Sequence, residues 1–428
     1  MMSSYYRALI IACTMTITIL SAASCTNGDA RNSGFTVADS AGVKIVRHGH
    51  GDFLEQSGHP GFLPTPSVQI GRDQEGAALY RVTDVARMPN GQIAVANSGT
   101  GEVKLFDSVG RFLHSLGGLG GGPGEFRQLS KLGISADGHM LAYDSQTDRI
   151  TVFDAESGAV VETTTLTVTE EQYDFGAMQH AWAIGWLRDG RFMGYYNTPL
   201  GESAMEDGWT KQEWMSHIHF FDDGKASDIL TSTSGRQRWL MISDLGGGRT
   251  RVQGITNPFE ATLETDTDGE LVAYGNTRRF DISIMDGNNG VVVRIVRRVN
   301  DTRLATGNHR EAWISSRLEE IADDGTERAR RRMALYETIP VPDTLPAFET
   351  LVLQQGGRLW VKETSFDNPT SSSREWSVFD HEGYPMGTVE MQADFQPFEI
   401  GDNYILGVWT DDLGVEYVHM YDLIGESS

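Results

Sequence analysis

The feature that most constrains this chain is an alternation of two turn signals, repeated six times. The first is a tight-turn pair at Asn90-Gly91, Asp137-Gly138, Asp189-Gly190, Asp268-Gly269, Gly356-Gly357 and Asp402-Asn403. The second is an aromatic residue or Met followed by Asp, at Phe106-Asp107, Phe153-Asp154, Phe221-Asp222, Met285-Asp286, Phe379-Asp380 and Tyr421-Asp422. Asn-Gly and Asp-Gly supply the positive φ angles that two-residue hairpins need. Strict alternation of the two signals implies tandem copies of one supersecondary unit.

The unit is legible in its first two copies. Residues 79–87, 92–96, 103–106 and 111–116 read as four short strands separated by turns, and 129–135, 139–143, 149–153 and 159–165 repeat the pattern. Four antiparallel strands recurring at about 45 residues describe a propeller blade. The tight-turn pairs lie 47, 52, 79, 88 and 46 residues apart, so the wider gaps are blades carrying insertions. The last repeat has only three strands after residue 394, and the strand-like 43–47 (VKIVR) is available as its fourth. Closing the ring this way removes the open sheet edges that invite aggregation. The expected fold is all-β, a six-bladed β-propeller closed by an N-terminal strand. A seventh blade built from 68–71 and 233–260 is the structural alternative.

Composition bounds the partners. The net charge of −24 excludes nucleic acid, which needs a concentrated basic surface. The one basic run, 328–332, follows Asp323, Asp324 and Glu327 and reads as a solvated helix face. Arg7, the apolar 8–20 and the small residues 21–24 read as a signal peptide over 1–24, ending before Cys25. Cys25 is then the expected lipidation site of a bacterial lipoprotein, with 25–42 as a flexible tether and 43–425 as the propeller. Ordinary secretion with cleavage near Ala23 or Ser24 is the alternative. The only other cysteine, Cys13, lies in the part removed, so the mature chain would hold no disulfide. The expected location is the cell envelope, lipid-anchored in the periplasm or outer membrane, or secreted.

Between the first two blades runs Gly117-Gly118-Leu119-Gly120-Gly121-Gly122-Pro123-Gly124-Glu125-Phe126. This segment resembles the inter-blade loop of NHL-repeat six-bladed propellers, and the resemblance covers 79–166. It implies the propeller fold in a form common among bacterial lipoproteins. The run is not a phosphate loop, because it lacks Gly-Lys-Ser/Thr and joins strands rather than opening a helix.

In up-and-down blades, both kinds of turn fall on one side of the disc and the remaining connections on the other. The long segments 197–214, 232–258, 300–346 and 364–373 therefore share one face, and function tends to sit on such elaborated loops. Residues 308–336 break the β pattern, and Trp313, Leu318 and Ile321 follow the spacing of an amphipathic helix capping that face.

Candidate ligand-binding residues follow from this geometry. Asn97, Asp144, Asn197, Asn276, Glu363 and Thr410 end the second strands at the loop-rich face. Six such oxygens around a channel mouth would suit Ca²⁺, or else they bond their own turns. Arg81, Arg127 and His180 lie near the same mouth; Arg81 would receive an anion or pair with Asp84. His217 and His219 alternate on one strand face, a spacing open to a metal. Trp209 and Trp214 would stack on a sugar or anchor a protein, or pack against their own blade. The expected function is a membrane-tethered module binding a protein, peptide or carbohydrate ligand through the loop-rich face. The alternative is a Ca²⁺-dependent, lactonase-like hydrolase working at the channel mouth. No catalytic residue is assigned: the nucleophile-elbow, His-Glu-x-x-His and Cys-x-x-Cys patterns are absent from the sequence.

Overall fold

The computed structural model describes residues 34–50, 61–71, 76–135, 137–168, 180–200, 208–254, 257–300, 303–322, 326–366 and 371–424. Cys25, the signal segment and the first part of the tether lie outside them. The strands form six sheets, and each sheet is one blade. The innermost strands are Val82–Arg87, Leu129–Ile134, Trp182–Trp186, Leu263–Thr267, Phe348–Gln354 and Phe395–Ile400. Each touches the next, and the sixth touches the first, which closes the ring.

Turn chemistry builds the blades as expected. Gly91, Gly138, Gly190 and Gly269 hold φ of +84°, +87°, +89° and +91° at the first hairpin of blades one to four. A side chain there would meet the left-handed penalty that glycine escapes. At the second hairpin the aspartate caps its own turn; Asp107 Oδ1 accepts the Val109 and Arg111 N–H groups at 3.0 and 2.8 Å.

Packing makes the ring. Six buried apolar clusters each draw on two adjacent blades. Val85, Val95 and Phe106 of blade one pack with Leu406 and Val418 of blade six, and Ile282 and Phe280 of blade four with Leu351 and Phe379 of blade five. Phe126, at the end of the glycine-rich segment, is fully buried between blades one and two. Burying each such side chain contributes roughly 1.5–3 kcal/mol.

The closing strand differs from expectation. Val68–Ile70 pairs antiparallel with Glu416–Ile424 and completes blade six, with Val418 opposite Ile70. The expected closing strand, Val43–His48, instead adds in parallel to Val292–Arg298 at the rim of blade four, and Phe35–Ser40 adds outside it. The reason is connectivity. Every blade passes from its outer strand to the next inner strand, and 68–70 directly precedes the inner strand of blade one. The seventh blade is likewise replaced. Thr231–Asp244 and Thr250–Gly254 extend blade three as a long hairpin against Gly208–Asp222.

The insertion between blades four and five is helical, with two helices rather than one. Helix α1 spans Gly307–Ala322 and helix α2 spans Glu327–Thr338. Thr326 caps α2, its Oγ1 accepting the Ala329 N–H at 3.1 Å. Trp313 packs with Tyr336 and Leu335 of α2, with Ile339 just after it and with Trp209 of blade three. The side chains of Leu318 and Ile321 lie outside the described set.

Candidate functional site: a cavity beneath the helical insertion

The polar residues that end the second strands bind close to home. Asn97 Oδ1 accepts the Tyr80 N–H at 2.6 Å, and its Nδ2 donates to Thr100 Oγ1 at 2.7 Å. Asp144, fully buried, accepts the N–H groups of Arg127, Gln128, Gln146 and Thr147 at 2.7, 3.3, 2.9 and 3.2 Å. Asn197 Oδ1 accepts from Ser216 Oγ at 2.6 Å, and Asn276 Nδ2 donates to the Ser234 and Gly235 carbonyls of blade three. Thr410 donates its backbone N–H to Asp394 O at 3.0 Å. These are turn and blade-junction bonds, and in Asn97, Asp144 and Asn197 they engage side-chain oxygens of the expected channel-mouth ring.

Glu363 is held most firmly. Arg298 reaches both of its oxygens, Ser377 Oγ donates at 2.6 Å and Arg303 approaches to 3.3 Å. Burial pushes its carboxyl up, but the two arginines and Ser377 more than offset this and hold it below the ordinary value. The Arg298–Glu363 pair ties blade four to blade five inside the protein.

The remaining residues separate. Arg81 is exposed, with φ +54° just before the inner strand of blade one. Asp84 does not pair with it. Asp84 faces inward, accepts the Leu132 N–H at 2.8 Å and lies 3.6 Å from Lys131 Nζ of blade two. Adjacent inner strands bring that lysine closer than the exposed arginine. His180 Nδ1 faces Asp148 Oδ2 at 2.9 Å, and Asp148 also accepts from Tyr143 Oη and the Ala181 N–H. His217 contacts two hydroxyls, Thr198 Oγ1 at 2.9 Å and Ser232 Oγ at 2.8 Å, and His219 is buried with Nδ1 2.9 Å from Ser227 O. Trp209 donates its Nε1–H to Thr338 Oγ1 of α2 at 3.2 Å. Trp214 is half-buried opposite Pro199.

Three carboxylates on inner strands form a group that the sequence reading did not connect, naming only Asp84, as a partner for Arg81. Asp84, Asp266 and Glu399 each accept, at 2.8 Å, a backbone N–H from the inner strand of the following blade, donated by Leu132, Leu353 and Arg87. Burial raises all three, Asp266 to about 6, against the pull of Lys131 on Asp84 and Asp266. For Lys131, burial is outweighed by Asp84 and Asp266, and its pKa is raised. These groups stitch the ring from inside.

Beneath α1, at the loop-rich face, lies a cavity of about 820 Å³. Its walls come from the connection between blades three and four, the connection between blades four and five, and the ends of the second strands of blades four and five. Trp313, His309 and Phe366 form an aromatic side. Phe366 stacks on Phe259 at 5.2 Å and 23°, and Trp313 meets Phe259 edge-on at 5.7 Å. Glu260, Lys362 and Arg374 supply charge. Lys362 Nζ pairs with Glu349 Oε2 at 2.8 Å. Burial pushes the Glu260 carboxyl up to about 7, opposed by the Trp239 N–H at 2.6 Å and by Arg236 and Arg238. Glu260 therefore changes between donor and acceptor near neutral pH. An apolar, aromatic wall with a few converging polar groups, at this volume, is the usual form of a small-molecule site. Of these residues only Trp313 carried a sequence signal; Glu349, Lys362 and Arg374 lie on strands of blade five, and Phe259, Glu260, His309 and Phe366 in segments without a repeating pattern.

One family comparison agrees with the fold. A family model, DUF5128, a 6-bladed β-propeller, matches residues 78–198, which span blades one and two and the start of blade three. No curated protein matches the chain. A Bacteroides fragilis structure described as an exported protein is 12% identical, with 89% of this chain and 99% of that chain covered and a TM-score of 0.47. A member of the DUF4221 family from Bacteroides vulgatus is 10% identical over 86% of this chain and 99% of that chain, with a TM-score of 0.48. A gluconolactonase from Xanthomonas campestris is 12% identical over 86% and 99%, with a TM-score of 0.36. Likenesses this distant carry nothing about ligand or reaction.

Proposed function

We propose that this chain is an extracytoplasmic propeller, tethered at its N-terminus, that binds a ligand in the cavity beneath the helical insertion. The observation that carries the reading is the construction of that cavity. The connections on either side of blade four, strand ends of blades four and five and an inserted helix meet there, around aromatic rings, a carboxyl titrating near neutrality and two cationic side chains. A rigid ring carrying elaborated connections on one face is the general form of a binding scaffold. The signal-like N-terminus, with small residues before Cys25, supports export and lipid anchoring. The Ca²⁺-dependent hydrolase reading draws less support, since the oxygens of Asn97, Asp144 and Glu363 are already engaged.

The test is ligand-observed NMR with a panel of saccharides, short peptides and aromatic acids. Wild type is compared with Phe366→Ala and Glu260→Gln. Binding that weakens about tenfold or more in either variant supports the cavity as the site. Binding equal in all three proteins, or no binding from the panel, rejects it. Anchoring is checked separately: Cys25→Ser should move the protein from the membrane fraction to the soluble fraction of the producing cell.

A further inference from the structure

Blade four carries a concentration of arginine that is unexpected in a chain of net charge −24. Arg278 and Arg279 follow its second strand, and both are exposed. Arg297 lies on its fourth strand, Val292–Arg298. The parallel strand Val43–His48 places Arg47 directly beside Arg297, on the same side of the sheet. Like charges set side by side on one sheet face repel.

The carboxylates in contact do not balance this charge. Asp281 takes the Arg297 guanidinium at 2.7 and 3.0 Å. Glu213 Oε1 takes Arg278 at 2.9 Å but also Lys211 at 2.9 Å, so two cations share one carboxylate. Three of these cations, Arg278, Arg279 and Arg297, share one surface with a single lining carboxylate, Asp281. Between the blade-three hairpin and the sheet of blade four, Arg278, Arg279 and Arg297 line a groove of about 410 Å³, with Thr233, Ser234 and Ser283 supplying hydroxyls.

We infer that this groove is a second ligand site, separate from the cavity beneath the insertion, and that it takes a tetrahedral oxyanion. Planar guanidinium forks match such oxygens in pairs, and hydroxyls add further donors. The groove is much larger than one ion, so the anion is one end of a small ester, a sugar phosphate or a sugar sulfate. An anion in the groove also relieves the repulsion between Arg47 and Arg297.

The test is calorimetry and thermal unfolding of the full chain with inorganic phosphate, glucose 6-phosphate, glucose 6-sulfate and glucose. Sodium chloride holds the ionic strength constant. Inorganic phosphate and at least one ester are expected to raise Tm by about 1–3 °C over chloride. The tighter ester identifies the anion. Arg279→Gln, at an exposed position, is expected to weaken ester binding about tenfold. Asp281→Asn removes a competing carboxylate and is expected to tighten it about threefold. Phe366→Ala should leave it unchanged. The inference is overturned if phosphate acts no differently from chloride, if glucose binds as well as its esters, or if Arg279→Gln binds as tightly as wild type.

Discussion

Blades one and two and blades three to five are made from the same unit but serve differently. In the first pair the connections are short, and the strand-end polar residues Asn97 and Asp144 hold the chain entering their own blade. In the second group the corresponding Asn276 and Glu363 reach across to a neighbouring blade. The connections between those blades lengthen into a hairpin and two helices, and both the cavity and the arginine groove lie among them. The regular blades act as scaffold, and elaboration on one arc of the ring makes the surfaces that can bind.

The sharpest way to break this comparison is at the strand ends. Glu363→Ala leaves Arg298 charged and buried, and should cost about 3–5 kcal/mol. Asn97→Ala should cost about 1 kcal/mol. Denaturant midpoints measure both; equal losses would mean that the two regions do not differ. Ring closure comes next. Ile70, fully buried in blade six, should lose about 2–4 kcal/mol as Ile70→Ala, and Ile45 at the rim of blade four clearly less. The reverse order would return closure to the 43–48 strand.

Titration sharpens the contrast further. Burial raises Asp266 to about 6 from an ordinary value of 3.8. The folded protein therefore holds that proton more tightly, and the cost of ionising it is present above about pH 6 and gone below about pH 4. Asp266→Asn should raise Tm more at pH 8 than at pH 4. Glu260→Gln should behave alike around pH 7, whereas Glu363, held below its ordinary value, contributes stability that is lost as pH falls below about 4.5. A local effect is expected at Trp209→Ala, about 1–2 kcal/mol, seen as faster hydrogen exchange confined to α2.

What the sequence by itself determined is local. Hairpin glycines and turn aspartates act within a few residues, so the blade unit, its six-fold repetition, the loop-rich face and a helical break between blades four and five were all legible. The aromatic signal at Trp209 was legible too, though its partner, Thr338 on α2, was not. What only the tertiary structure decided is non-local. The sequence offered 43–47 to close the ring, and the path from outer to inner strand selected 68–70 instead. Asp84 met Lys131 rather than Arg81 because the ring sets inner strands of different blades side by side. The cavity around Glu260 and the arginine pair at 47 and 297 have no sequence pattern, since each joins segments separated by many turns of chain. Periodicity records which residues share a face; the closed ring decides which faces meet.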